Sequence, residues 1–306
     1  MGVHVRALVR PGFDSDQLPG GSVEPWLGDL GDPTSLDGLC DGADLLFHLA
    51  ASQNPQAADR EILGVNVEGT RQLLDRAATA GVPRVLLAST GGVHRNPSGD
   101  PVTERSPLQP LNTYFRSKLL AEEIAREIFR PSPERLTIVR PGSVYGPGDR
   151  RFRILYDALR RGRFVMIGPG TRRIHPVYVD DLVDGLLLAA SGRGAGSTYL
   201  MSGPVSLTLR EWIEAVAREA HASLPRWSLP VGAVRAVVSF LELACRPFGV
   251  RLPITRSRLG FFVHHRCYDL TRARVELGYE PRIGVETGIG RTIAAFRGEG
   301  GRLGGR

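Results

Sequence analysis

Lysine is almost missing from this chain of 306 residues. Lys and Arg together number 39, yet Lys118 is the single lysine. Cysteine is also scarce: Cys40, Cys245 and Cys267 are odd in number and far apart, which excludes a disulfide framework and matches no metal site. No uninterrupted apolar run is long enough to span a bilayer. The nearest, Leu229 to Val250, is broken by Arg235, Glu242 and Arg246 and reads as an amphipathic helix packed in the core, with peripheral membrane contact as the lesser alternative. The formal charge of +7 comes from scattered arginines with no basic run interleaved with aromatics, so nucleic acid is not an expected partner. The first residues carry no secretory pattern, and a reducing cytoplasm is the expected location.

What is present alternates strand and helix as a parallel α/β sheet requires. Val3 to Val9 and Val23 to Leu27 read as strands. Asp32-Pro33 reads as the cap and first position of a short helix. Asp44 to Ala51 reads as a buried strand opening at its C-terminal end, and His48 within it as a satisfied core histidine. Residues 57–80 read as helix, in which Gly69 costs about 1 kcal/mol relative to alanine and so implies close packing. Val85 to Ala88 is a strand ending in Ser89-Thr90-Gly91-Gly92, whose hydroxyls either cap a turn or face a substrate. Further strands and helices follow at Leu136 to Val139, Phe152 to Arg161, Gly168 to Asp181, Leu209 to Ala222 and Thr271 to Leu277. The last helix is expected over Val285 to Phe296, with residues 297–306 a disordered tail.

The lone lysine stands four residues after Tyr114 in LNTYFRSKLLAEE, Leu111 to Glu123. Residues at i and i+4 share a helix face, so phenol and ammonium can meet one ligand. A fixed positive charge lowers the pKa of a phenol that otherwise titrates near ~10. Tyrosine and lysine also pair at this spacing on solvated helices. The retention of one compact ammonium in a chain that otherwise writes its cations as arginine favours the ligand-facing reading.

Taken together, ALVR, GDL, FHLAA, NVEGT, LLAST, YFRSK, VRPGSVYGPGD, HPVYVDD and DLTRARVELGY occur in the order seen in the extended short-chain dehydrogenase/reductase family. That family is the NAD-dependent epimerase/dehydratase and 3β-hydroxysteroid dehydrogenase-like group, which the chain resembles from Val3 to about Phe296. The resemblance implies a Rossmann-like doubly wound parallel sheet, over residues 1–150 and 176–200. A smaller α/β substrate lobe would occupy 151–175 and 201–296. It implies Tyr114 as general acid/base, Lys118 as the holder of the nicotinamide ribose and Thr90 as the family's catalytic hydroxyl. Asp29 and Leu30 would meet the adenine, and Leu49, Ala50 and Ala51 would pass beneath the cofactor. Asn66 would lie beside the site, and Pro141 and Val144 would flank the nicotinamide. Arg10, at the end of the first strand, favours NADP over NAD. A homodimer through residues 57–80 and 111–129 and a small-molecule substrate are implied likewise.

Two departures from the family pattern shape the expectation. No strand, glycine-rich turn and helix occur in succession to cradle a pyrophosphate; the expectation is a sheet lacking its first strand and helix, from a start recorded downstream of the true one. Ser143 and Ile174 stand where sugar-nucleotide enzymes of the family usually carry asparagine and a diphosphate-binding arginine. The leading reading is therefore an NAD(P)-dependent oxidoreductase on a secondary alcohol or ketone. A nucleotide-sugar epimerase or dehydratase is the alternative, and an inactive fragment or binding module the second.

Overall fold

The computed structural model describes residues 2–14, 18–19, 21–54, 57–224, 227–245 and 256–300. In chain order it holds β1 (Val5–Val9), β2 (Val23–Leu27), β3 (Leu45–His48), α1 (Asp59–Leu63), α2 (Thr70–Thr79), β4 (Arg84–Ala88), α3 (Thr113–Ile128), β5 (Leu136–Pro141) and β6 (Ser143–Tyr145). It continues with α4 (Arg150–Arg160), β7 (Met166–Ile167), β8 (Arg173–Ile174), β9 (Pro176–Tyr178), α5 (Val179–Ala190), β10 (Thr198–Met201), β11 (Leu207–Thr208) and α6 (Leu209–Glu219). The last elements are β12 (Ser228–Leu229), α7 (Val231–Cys245), α8 (Arg256–Val263) and α9 (Val285–Gly300). The chain divides into two compact units, one of Met1–Val93, Pro110–Val139 and Ala189–Thr198, the other of His94–Gln109, Arg140–Leu188 and Tyr199–Arg306.

In the first unit β1 pairs with β2 in parallel, from Val5↔Val23 to Val9↔Leu27. β3, β4 and β5 form a separate sheet and run parallel to one another. Among the described residues no ladder joins β1 to β3. One core of Leu30, Leu36, Leu73, Leu74, Val85, Leu87, Ala125 and Ile138 nevertheless serves both sheets, with Leu8 of β1 and Trp26 of β2 packed against it. Arg6 fixes β1 to the loop beyond β2: its guanidinium lies 5.4 Å over the Trp26 ring and donates to the Leu39 carbonyl at 2.8 Å.

Local chemistry sets the element ends. Asp32 caps the 3-10 turn Pro33–Leu36, which has proline in its first positions. Gly69 closes a π-helical segment, Gly64–Gly69; a Cβ there would come within 2.6 Å of the Leu30 carbonyl oxygen, so the close packing expected of this glycine is real.

The second unit pairs β6 with β9 and β12 with β7 in parallel, and β11 with β8 antiparallel. Its core gathers Tyr145, Phe152, Tyr156, Tyr178, Trp212, Ile213, Ile289 and Phe296. A capping box between Thr208 and Glu211 starts α6. Two expectations are corrected here. Helix α9 runs on to Gly300, four residues into the stretch expected to be disordered, because the helix docked through Ile289, Ile293 and Phe296 carries the weak helix formers beyond them; residues 301–306 lie outside the description. Residues 246–250 of the Leu229–Val250 stretch lie outside the described residues, and the rest is not one core helix: Leu229 belongs to β12, α7 begins at Val231, and part of its apolar surface faces solvent, with Val237 57% and Phe240 69% exposed.

Candidate active site

Helix α3 organises the first unit's site. Asn112 caps it by accepting from the Phe115 N–H at 2.8 Å, so Tyr114 and Lys118 sit in its first two turns. Its inward stripe is unusually polar: Ser117, Lys118 and Glu122 are all buried beside Ala121 and Ala125. Ser117 and Glu122 are each served by partners from another element or another turn. Asn66, in the π-helical segment, donates to Ser117 Oγ at 2.9 Å and to the Ser52 carbonyl at 3.0 Å, and accepts from the Ser52 N–H at 2.6 Å. One amide thus ties the loop after β3 to α3. A π-bulge is a frequent device for redirecting a side chain at a site, and here it carries this asparagine.

Glu122 accepts from Ser89 Oγ at 2.5 Å and forms an ion pair with Arg126 at 3.0 Å. It lies one turn beyond Lys118 on the same face. Burial holds the Lys118 pKa down to about 8, against the opposing pull of the Glu122 carboxylate. Near neutral pH the ammonium therefore stays charged, yet it can lose its proton within the working range of an enzyme. His48, hydrogen-bonded to Thr70 Oγ1 at 2.8 Å, is held down to about 3 by burial and by the Lys118 charge, and it is the neutral core histidine expected of it.

Tyr114 is half-buried, and its hydroxyl receives a hydrogen bond from Gln53 Nε2 at 3.0 Å. Thr90 is half-buried at the end of β4, where its Oγ1 accepts from the Gly92 N–H at 3.1 Å and keeps its own proton to give. Gly92 is closed to any side chain, because a Cβ there would run into the Phe115 ring; that contact holds the β4 loop against the first turn of α3. Ser89 does not share the role open to Thr90. It is 7% exposed and its hydroxyl is spent on Glu122, so its expected part in facing a substrate is corrected to an internal one.

The other residues singled out from sequence have these places. Arg10 is exposed just after β1. Asp29 is half-buried and accepts from the Gly31 N–H at 2.7 Å, with Leu30 buried beside it. Leu49 and Ala50 are exposed after β3, and Ala51 half-buried. Pro141 and Val144 belong to the second unit, the first buried at the end of β5 and the second half-buried in β6. Gln53, Ser52, Ser117 and Glu122 were not singled out by sequence reasoning. Only Ser117 and Glu122 carried a signal, since they fall on the Tyr114/Lys118 face at helical spacing.

Residues 2–200 match the NAD dependent epimerase/dehydratase family, and the chain belongs to it. Members of this family are NAD(P)-dependent dehydrogenases, reductases and epimerases with a Rossmann-like α/β fold. The chain is 30% identical to sterol demethylase protein B of Methylococcus capsulatus, over 98% of this chain and 92% of that protein. It is 29% identical to 4-hydroxy-2-methyl-3-oxo-4-farnesyl-3,4-dihydroquinoline-1-oxide ketoreductase of Stigmatella aurantiaca, over 94% and 88%. Among solved structures, a double mutant of the dTDP-glucose 4,6-dehydratase DesIV of Streptomyces venezuelae, with NAD bound, superposes with a TM-score of 0.74 at 26% identity, covering 94% of this chain and 83% of that one.

The first unit's residues fit one end of such a cofactor. Exposed, small Ala50 after β3 leaves backbone open to a close ligand, and Tyr114 and Lys118 bring a phenol and an ammonium to one helix face. For the pyrophosphate, no strand, glycine-rich turn and helix occur in succession among the described residues.

Proposed function

We propose that the chain is an NAD(P)-dependent oxidoreductase acting on a secondary alcohol or ketone of an uncharged, lipophilic molecule, with Tyr114 as its acid/base. The observation that carries this is the polar stripe of α3: a phenol at the helix start, hydrogen-bonded by Gln53, with the chain's one ammonium buried a turn later and countered by Glu122. The nicotinamide would supply or take the hydride. Tyr114 gives a proton to the substrate oxygen in reduction and removes one from the hydroxyl in oxidation. Lys118 holds positive charge beside the phenolate and the nicotinamide ribose, and Thr90 Oγ1 donates to the substrate oxygen. Asp29, Leu30, Leu49, Ala50, Ala51, Asn66, Pro141 and Val144 are the proposed cofactor contacts. Arg10, exposed after β1 and able to take a 2′-phosphate, favours NADP.

Two relatives named for a sterol and for a farnesylated quinoline support the lipophilic substrate. A sugar-nucleotide epimerase or dehydratase, the rival, would need a cation for the diphosphate. Ile174, at the position in question, is 2% exposed within the second unit's core, while the neighbouring Arg173 turns outward to Ser206. The same proposal places the enzyme in the cytoplasm, in keeping with the free buried Cys40 and Cys267, and pairs two copies through residues 57–80 and 111–129.

The test is a panel of hydroxysteroids, prenylated ketones and nucleotide sugars followed at the nicotinamide absorbance, with Tyr114→Phe alongside. Net reduction or oxidation of a lipophilic substrate, lost about 10³-fold in the variant at unchanged cofactor affinity, is the expected result. Turnover of a nucleotide sugar without net redox change, or full activity in Tyr114→Phe, defeats it.

A further inference from the structure

Helix α7 reverses the usual arrangement of a surface helix. Val238 is its buried contact, packed with Ile167 and Leu259, and Val231 and Val234 lie half-buried against the same cluster. The opposite face should then be polar. Instead Ala233, Ala236, Val237, Phe240 and Leu241 are exposed, at the three- and four-residue steps that make one stripe. Arg235 is the exposed charge among them. The chain leading into the helix adds Trp227, 60% exposed, and exposed Leu229. A tryptophan and a phenylalanine on an apolar face edged by arginine is the composition of a segment that lies in a bilayer interface.

Charge decides between a bilayer and a second copy of the chain. From Trp227 to Arg258 the sequence carries Arg235, Arg246, Arg251, Arg256 and Arg258 against Glu242 alone. On the described face Arg235 is exposed and no exposed acid accompanies it, so a twofold interface would offer this cation no opposite charge, whereas an anionic lipid surface complements it. No helix among the described residues is long and apolar enough to cross a membrane, so the contact is with the surface of the bilayer.

We propose that the outer face of α7, with Trp227 and Leu229 before it, docks the protein on an anionic lipid bilayer, Phe240 and Val237 entering the acyl boundary and Arg235 meeting headgroup phosphates. The docking is independent of the reaction proposed above, and its test reads binding alone. The full chain is mixed with vesicles of phosphatidylcholine, and with vesicles containing about one-third phosphatidylglycerol, and separated by flotation. Binding is expected to the anionic vesicles, weakened by salt. Val237→Ser/Phe240→Ser should weaken it by roughly tenfold or more and Arg235→Glu by several-fold, with circular dichroism unchanged, because these side chains are exposed. Three results would overturn the proposal: no binding to anionic vesicles, binding that ignores all three substitutions, or a self-association in the absence of lipid that the double variant abolishes.

Discussion

Helices α3 and α7 break the same rule in opposite directions. The first turns ions inward: Lys118 is 2% exposed and Glu122 fully buried. The second turns a phenylalanine and a valine outward. A buried ion is tolerated only with partners: Glu122 has them in Ser89 and Arg126, and its carboxylate in turn favours the charge on Lys118. An exposed apolar stripe needs no partner for the fold to survive, and its cost falls on the unbound molecule alone. The first departure therefore marks internal chemistry that the fold must support. The second marks a surface whose counterpart lies outside the chain.

Substitution at Lys118 should separate the two most sharply. Lys118→Ala is expected to lower kcat/KM about 10³-fold, and Lys118→Arg to do no better, because the forked guanidinium does not fit a site with 2% exposure. Steady-state kinetics at saturating cofactor, with circular dichroism as the folding control, read this directly; an arginine variant within tenfold of the parent would show that no compact ammonium is required. Glu122→Ala comes next. It strands the Ser89 hydroxyl and leaves Lys118 buried without its opposing carboxylate, a loss of about 3 kcal/mol in urea unfolding. Because Glu122 raises the Lys118 pKa, the milder Glu122→Gln should lower it further, moving the alkaline limb of kcat to lower pH. A limb that stays in place would detach Glu122 from the lysine.

The pH dependence of stability follows from the same buried face. His48 is held down to about 3, below its ordinary value of 6.5. The unfolded chain therefore binds a proton that the folded chain refuses between these values, and stability falls as pH drops through that window. Over pH 6.5 to 5 the loss from this one residue is about 2 kcal/mol. His175, held down to about 4 mainly by burial, adds a similar slope in the second unit. Lys118 acts at the other end: folded near 8 and unfolded near 10.5, it lets stability rise as pH climbs between them. Urea midpoints for the parent and His48→Gln should diverge less as pH falls, since the variant has no such proton to bind. Equal slopes in the two would place the acid sensitivity elsewhere.

Most of the first unit was legible because its signals are local. β2 falls on the strand read at Val23 to Leu27, the Asp32-Pro33 cap forms, and Gly69 packs on the Leu30 carbonyl as its cost in a helix implied. The partners of the site residues were not legible, because they are far apart in sequence. Ser89 and Glu122 are 33 positions apart, Gln53 and Tyr114 61, and Asn66 and Ser117 51. Nothing in periodicity pairs such residues, and the Ser89 hydroxyl, read as either a turn cap or a substrate contact, serves Glu122 instead. The π-helical segment at Gly64–Gly69 leaves no mark on a pattern read at 3.6 residues per turn. For α7 the failure has a different cause. Apolar periodicity says that a face wants to leave water, and it does not say whether the chain itself provides the cover.

The smallest expected effect is the one that keeps α7 distinct from α3. Serine at Val237 and Phe240 removes apolar surface that is already in water, so the double variant should unfold within about 0.5 kcal/mol of the parent in urea. A comparable change on the inward stripe, at Glu122, is expected to cost several times more. A double variant destabilised by 2 kcal/mol or more would mean that Val237 and Phe240 are covered within the folded chain. The outward stripe would then be a second piece of core, and the opposition between the two helices would collapse to one of degree.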